Sequence, residues 1–199
     1  MTFRRAELET RGTLAHIVAL AKAQGAFDRV SVGFPGVVRH GVTVTAPNLA
    51  QSWKGFDLAK ALSKKVGKPV KVANDADVQG FGAIAGRGVE LVVTLGTGFG
   101  SALFVDGTLV PNLEVAHHPF KRNRTYEDLL GIEALKKVGN KKWNNRLKRA
   151  IASLEQLFNY DSLYLGGGNA KRITFKLPRN AKVVENIAGL LGGIALWHE

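Results

Sequence analysis

Apolar and polar positions alternate along this chain with two periods, and the changes of period mark its elements. The N-terminal stretch spaces Leu14, Ile17, Val18 and Ala21 at helical intervals, which predicts a helix over 4–24 closed by Gly25. A strand is expected over 29–34, then a Pro35-Gly36 turn and a short strand over 41–45. A helix over 57–66 and a strand over 70–73 follow, and Asp75 opens a helix over 76–85. ELVVTL (90–95) and SALFV (101–105) read as paired strands, with Asp106-Gly107 turning the chain into TLV. The rest is mostly helical, over 126–138 and 143–158. A strand over 162–165, the turn Gly166-Gly167-Gly168 and a last helix over 185–197 complete it. The pattern is α/β with an antiparallel hairpin, and it lapses most clearly between Pro111 and Arg124.

Composition narrows the class. A chain of 199 residues, 45% hydrophobic, can bury one compact core or two small lobes. Without cysteine there is no disulfide scaffold or thiolate metal site, which fits a reducing cytoplasm. The N-terminal apolar stretch is amphipathic, so neither a signal peptide nor a membrane span is expected. A net charge of +12 points to polyanionic partners: nucleic acid, an acidic membrane surface or a phosphate-rich small molecule.

Within LGTGFGSALFVDG, Gly96, Gly98 and Gly100 occupy alternate positions of what is otherwise strand. A strand follows them and not a helix, so this is no dinucleotide fingerprint, and no GxxxxGK[ST] run exists. Two readings stay open. The glycines supply positive φ to a tight turn, or they let backbone amides converge on an anion, with Thr97 adding a hydroxyl. In NDAD, Asp75 stands where strand meets helix. It is either the helix N-cap or a general base facing a crevice, with Asn74 orienting a substrate hydroxyl. Glu114 and His117 bracket a polyhydroxylated ligand or sit in a solvated loop; with His118 adjacent they make a poor zinc site. The basic run from Lys121 to Arg149, with Tyr126 and Trp143 inside it, is a solvated face, a surface for a polyanionic substrate, or, less favoured, one for nucleic acid.

Taken in order, GFPGVV (33–38), NLAQSW (48–53), NDAD (74–77), LGTGFGSALFVDGTLV (95–110), EVAH (114–117), LGGG (165–168) and NIAGLLGG (186–193) resemble the ROK family of sugar kinases. The phrases GFPGVV and LVPN, and the lack of the family's zinc cysteines, resemble its polyphosphate-using glucokinase branch. The resemblance implies an actin-like ATPase fold of hexokinase type in two lobes, 1–87 and 88–199, with the final helix packing back on the first. It implies transfer of a phosphoryl group from polyphosphate or ATP, with Mg²⁺ and no zinc, to the 6-hydroxyl of glucose or a related hexose. Asp75 matches the catalytic base. Pro35, Gly36, Asn48, Asn74, Glu114 and His117 match sugar-binding positions, with Trp53 in the segment beside them. Gly96, Thr97, Gly98 and Gly100 match the second phosphate loop, and Gly166, Gly167 and Gly168 the turn near the donor phosphates. A homodimer is common in the family. The sequence supplies no Asp-x-Gly-Gly-Thr loop, so the first lobe is expected to be shortened and donor contacts to be lost; a catalytically silent homologue that binds sugar or an acidic partner is the alternative. Ala116 replaces the glycine usual in Glu-x-Gly-His and is expected to shift His117.

Overall fold

The computed structural model describes residues 10–46, 49–185 and 188–198. Within them the first part of the chain runs through α1 (Thr10–Ala23), β1 (Val30–Phe34), β2 (Val38–Arg39), β3 (Val42–Thr43), β4 (Phe56–Asp57), α2 (Leu58–Val66), β5 (Val70–Asn74) and α3 (Asp75–Phe81). β1 and β5 pair in parallel, with Val30 beside Val70 and Phe34 beside Asn74. The strand expected over 41–45 is instead part of a small antiparallel sheet, β2-β3-β4, because His40 and Gly41 turn the chain with positive φ. α2 shows why this sequence stops and starts where it does. Asp57 accepts the Lys60 amide, Leu58 and Leu62 are buried on one face, and Gly67 closes the helix in the left-handed region. Trp53 lies 5.5 Å from Phe34 and 5.8 Å from Phe56, within a core that includes Leu14, Leu58 and Leu62.

The second part contains β6 (Val89–Leu95), β7 (Phe99–Val105), β8 (Thr108–Val110), β9 (Pro119–Lys121), β10 (Arg124–Thr125), α4 (Tyr126–Leu130), α5 (Ile132–Phe158), β11 (Ser162–Gly166), β12 (Ala181–Val183) and α6 (Ala188–Ala195). Its five-stranded sheet is ordered β12-β11-β6-β7-β8, with β6 parallel to β11 and antiparallel to β7. β6 is buried on both sides, which explains its near-continuous apolar run. One face carries α5 through Trp143, Leu147, Ile151 and Leu154. On the other face Val92, Ala102, Phe104 and Tyr164 cluster with Phe81 of α3. The two helices expected over 126–138 and 143–158 become α4 and a long α5 broken at Gly139, whose φ of 74° is not helical.

The helix expected over 76–85 ends at Phe81. Beyond it, the loop amides of Ala85, Gly86 and Arg87 donate to the buried Glu90 carboxylate, which also accepts from the Tyr164 hydroxyl. α6 packs on α3 and β1. Ser31 donates to the Gly193 carbonyl, Trp197 Nε1 donates to Ser31 Oγ at 2.8 Å, and Lys71 Nζ donates to the Leu196 carbonyl at 2.8 Å. A Cβ on Gly192 would fall inside the Val78 carbonyl, so this helix crossing requires glycine. The start of the first expected helix, over 4–9, and residues 186 and 187 of the last lie outside the described residues.

Candidate functional site

A cavity of about 970 Å³ opens where the end of β5 and the N-terminus of α3 meet the β6–β7 hairpin, the segment after β8 and the first turn of α5. β5 delivers Asn74 to its carboxyl edge, and Asn74, not Asp75, is the N-cap of α3: its Oδ1 accepts the Ala76 amide at 2.8 Å. Its Nδ2 donates to the Gly36 carbonyl at 3.2 Å, tying α3 to the Pro35-Gly36 turn. Asp75 is thereby the first helical residue, and it lines the cavity. Burial raises its pKa above the usual 3.8, opposed by the Ala76 and Asp75 amides.

The β6–β7 hairpin turns at Gly96-Thr97-Gly98. Its carbonyls are all engaged: Gly96 O accepts Asn169 Nδ2 at 2.9 Å, Thr97 O accepts the Ile132 amide at 3.1 Å, and Gly98 O accepts the Gly96 amide at 3.2 Å. The amides of Thr97 and Gly98 have no hydrogen-bond partner among the described residues, and both residues line the cavity. None of Gly96, Gly98 and Gly100 has positive φ. The positive-φ reading of this run therefore fails, and close approach takes its place. A Cβ on Gly100 would lie 2.9 Å from Ala76 Cβ and against Thr94 Oγ1; one on Gly98 would strike the Glu127 carboxylate; one on Gly96 would meet nothing within 4 Å. Gly167 does need its conformation, with φ of 85° and a Leu95 backbone in the way of any side chain.

Across the same cavity, the 3₁₀ turn Val115–His117 sets His117 Nε2 3.7 Å from Glu114 Oε2. Ala116 occupies this turn without positive φ, so the expected displacement of His117 has no backbone cause here. Burial raises the Glu114 pKa above its usual 4.5; His117 opposes this, while Asp75 and Glu127 add to it. Three carboxylates and an imidazole thus line one cavity, a set of polar groups suited to several hydroxyl groups.

Pro35, Gly36, Asn74, Asp75, Gly96, Thr97, Gly98, Gly100, Glu114, His117, Gly167 and Gly168 all line this cavity. Gly166 does not: it ends β11 within the sheet, paired with Thr94. Asn48 lies outside the described residues, and Trp53 is a core residue. His118 is exposed and stands off the cavity wall. Sequence reasoning missed Glu127. Its signal was the Thr125–Asp128 capping box, which fixes the start of α4 and so aims the residue between them. Among the described residues no group of three His, Cys, Asp or Glu side chains is arranged to hold a metal ion, and none of their helices is long and apolar enough to cross a membrane.

Residues 5–116 match the ROK family. The chain belongs to the ROK family. Among its ROK relatives, a polyphosphate glucokinase of Mycobacterium tuberculosis is 30% identical over 183 residues, covering 82% of this chain and 67% of the relative. A polyphosphate glucokinase of Mycobacterium leprae is 28% identical over 195 residues, 90% of this chain and 59% of the relative. The inorganic polyphosphate/ATP-glucomannokinase of Arthrobacter sp. strain KM superposes with a TM-score of 0.82 at 29% identity, covering 95% of this chain and 84% of that one. A ROK glucokinase from Streptomyces griseus, solved with glucose and AMPPNP, shares the fold at a TM-score of 0.77 and 18% identity, over 94% and 88% of the two chains. The ROK fold of this chain is the actin-like, two-lobed α/β architecture of these kinases.

Proposed function

We propose that this ROK protein is a sugar kinase that moves a phosphoryl group from polyphosphate or ATP to the 6-hydroxyl of glucose. The observation that carries this reading is one cavity lined both by Asp75, whose helix is capped by Asn74, and by Thr97 and Gly98, whose amides have no partner among the described residues. Phosphoryl transfer requires little more than an aligned acceptor, a base for its proton and fixed donors for the charge on the phosphates.

In this scheme Asp75 takes the proton of the attacking hydroxyl, and desolvation by the surrounding protein raises its pKa above a free aspartate's. Asn74 uses one N–H for Gly36 and one lone pair for Ala76, leaving one of each for the sugar. Glu114, His117 and Glu127 accept or donate to the other hydroxyls, while Pro35 and Gly36 floor that end. Gly96, Thr97, Gly98 and Gly100 with Gly167 and Gly168 take the donor end, where backbone can approach phosphate. Magnesium fits that end by donor chemistry: the Thr97 hydroxyl is a hard oxygen, and phosphate oxygens fill most of a magnesium shell. When bound it would neutralise donor charge. The names of the polyphosphate-using relatives support polyphosphate as a donor.

The test is a glucose 6-phosphate dehydrogenase-coupled assay with ATP or polyphosphate offered separately. Turnover with at least one donor is expected, and Asp75→Asn is expected to abolish it while glucose still binds by calorimetry. Wild-type protein that binds glucose but turns over neither donor, or a fully active Asp75→Asn variant, would refute the assignment.

A further inference from the structure

Two arginines cap neighbouring carbonyls at the end of one helix beside this cavity, and no ion pair joins either of them to a carboxylate among the described residues. Any helix leaves its last carbonyl groups unpaired, and three side chains satisfy those of α4. Arg124 Nη2 donates to Asp128 O at 2.6 Å, Arg146 Nη1 to Leu129 O at 3.1 Å, and Trp143 Nε1 to Leu130 O at 2.8 Å. Successive carbonyls of one turn are neighbours, so Arg124 from β10 is drawn beside Arg146 from α5. Burial and then the Arg124 charge lower the Arg146 pKa. The nearest acid, Asp128, also feels Arg124, but its carboxylate accepts the Thr125 amide in the capping box.

Neither arginine belongs to an ion pair within 4 Å among the described residues; the pairs there are His117–Glu114 and Lys136–Glu133. Each guanidinium has five N–H donors, and each spends one on a carbonyl. Side-by-side cations repel unless an anion joins them, and planar guanidinium forks match the oxygens of a phosphate. Arg124 lines the cavity, so the joining anion would stand at its mouth.

We propose that Arg124 and Arg146 form a binding site for a phosphate group at the cavity mouth. The phosphate belongs either to the distal part of a phosphate-chain donor or to a phosphorylated sugar leaving the cavity. This rests on the kinase reading above for the choice of ligand, but its chemistry is independent of turnover.

Calorimetric titration of the full chain with sodium tripolyphosphate and, separately, with glucose 6-phosphate tests it. Arg124→Gln and Arg146→Gln are each expected to weaken one of these ligands by roughly fivefold or more, and the double variant by less than the product, since both side chains serve one phosphate. The ligand that weakens names the source. Because either substitution also uncaps α4, Arg146→Lys provides a second variant, expected to recover part of the affinity. The wild-type arginine Nε–H resonances provide a readout that needs no variant: both are expected to shift on adding that ligand. Unchanged affinity for both ligands in both glutamine variants, or no shift of either resonance, overturns the site. Wild-type protein that binds tripolyphosphate through this pair yet phosphorylates no glucose would refute the kinase reading and leave the site standing.

Discussion

Three glycines at alternate positions of one hairpin meet three different surroundings, and alanine substitutions should separate them. Gly100→Ala places a methyl 2.9 Å from Ala76 Cβ and against Thr94 Oγ1. Ala76 is held by the Asn74 cap and Thr94 is the residue paired with Gly100 across the strands, so neither can swing away as a free side chain would. Overpacking of this kind costs about 1–3 kcal/mol, which in a chain of this size lowers Tm by roughly 2–10 °C. The Ala76 shift also moves Asp75, its neighbour in the chain. A displacement near 1 Å at a reacting group costs on the order of 10²-fold in rate. Gly96→Ala meets nothing within 4 Å, so its stability should stay within about 0.5 kcal/mol of wild type. Its methyl instead projects at the cavity wall and should raise KM for the phosphoryl donor more than KM for glucose. Thermal melts of both variants, with steady-state kinetics against each substrate, are the assay. Equal destabilisation by the two substitutions, or a Gly100→Ala variant as stable and active as wild type, would refute close approach as the reason for these glycines.

Other expectations follow from the buried polar groups and the helix crossing. The Glu90 carboxylate is pushed up by burial and pulled down further by the Tyr164 hydroxyl and by the Ala85, Arg87 and Gly86 amides, so its folded pKa lies below the usual 4.5. Its contribution to stability is therefore complete above that value and is lost as pH falls through the folded pKa. Glu90→Gln should flatten the acid limb of a denaturation-versus-pH curve, and Tyr164→Phe should cost about 1–2 kcal/mol in urea titrations at pH 7. For Asp75 the shift is upward, so the acid limb of kcat/KM should fall at a pH above the usual aspartate value of 3.8; a limb at or below it argues against Asp75 as the base. Gly192→Ala drives a methyl into the Val78 carbonyl and should separate α6 from α3, lowering Tm by several degrees or more. An unchanged melt would mean that the helix crossing relaxes.

The elements were legible wherever one physical signal dominated. β6 shows as a near-continuous apolar run because it is buried on both faces, and α2 because its cap, buried face and closing glycine agree. The short strands β2, β4, β9 and β12 carry two or three residues each, too few to show a period; β2 and β9 form tight hairpins with the strands that follow them, and β4 and β12 pair with the strands before them. The sequence pattern extends α3 too far because its apolar positions run past Phe81, whereas in the structure the chain turns so that Ala85, Gly86 and Arg87 donate to Glu90 just ahead, a local turn that the apolar pattern does not mark.

At the site, residue types gave the chemistry but not the choice between its structural and functional uses. Asp75 and Asn74 both suit an N-cap, and only the hydrogen bond from Ala76 to Asn74 shows which residue stands at the cap position and which is the first of the helix. The glycine run was suspicious in sequence because a strand gains nothing from it. Its cause, the α3 N-terminus and the Glu127 carboxylate pressed against the hairpin, arises from segments about 25 residues away on either side. The same distance hid the arginine pair. Arg124 and Arg146 read as parts of one basic run, 22 positions apart, until the carbonyls of α4 draw them together. A charge run shows where cations are plentiful; which of them stand together, and so which anion they suit, is decided by the backbone that each one caps.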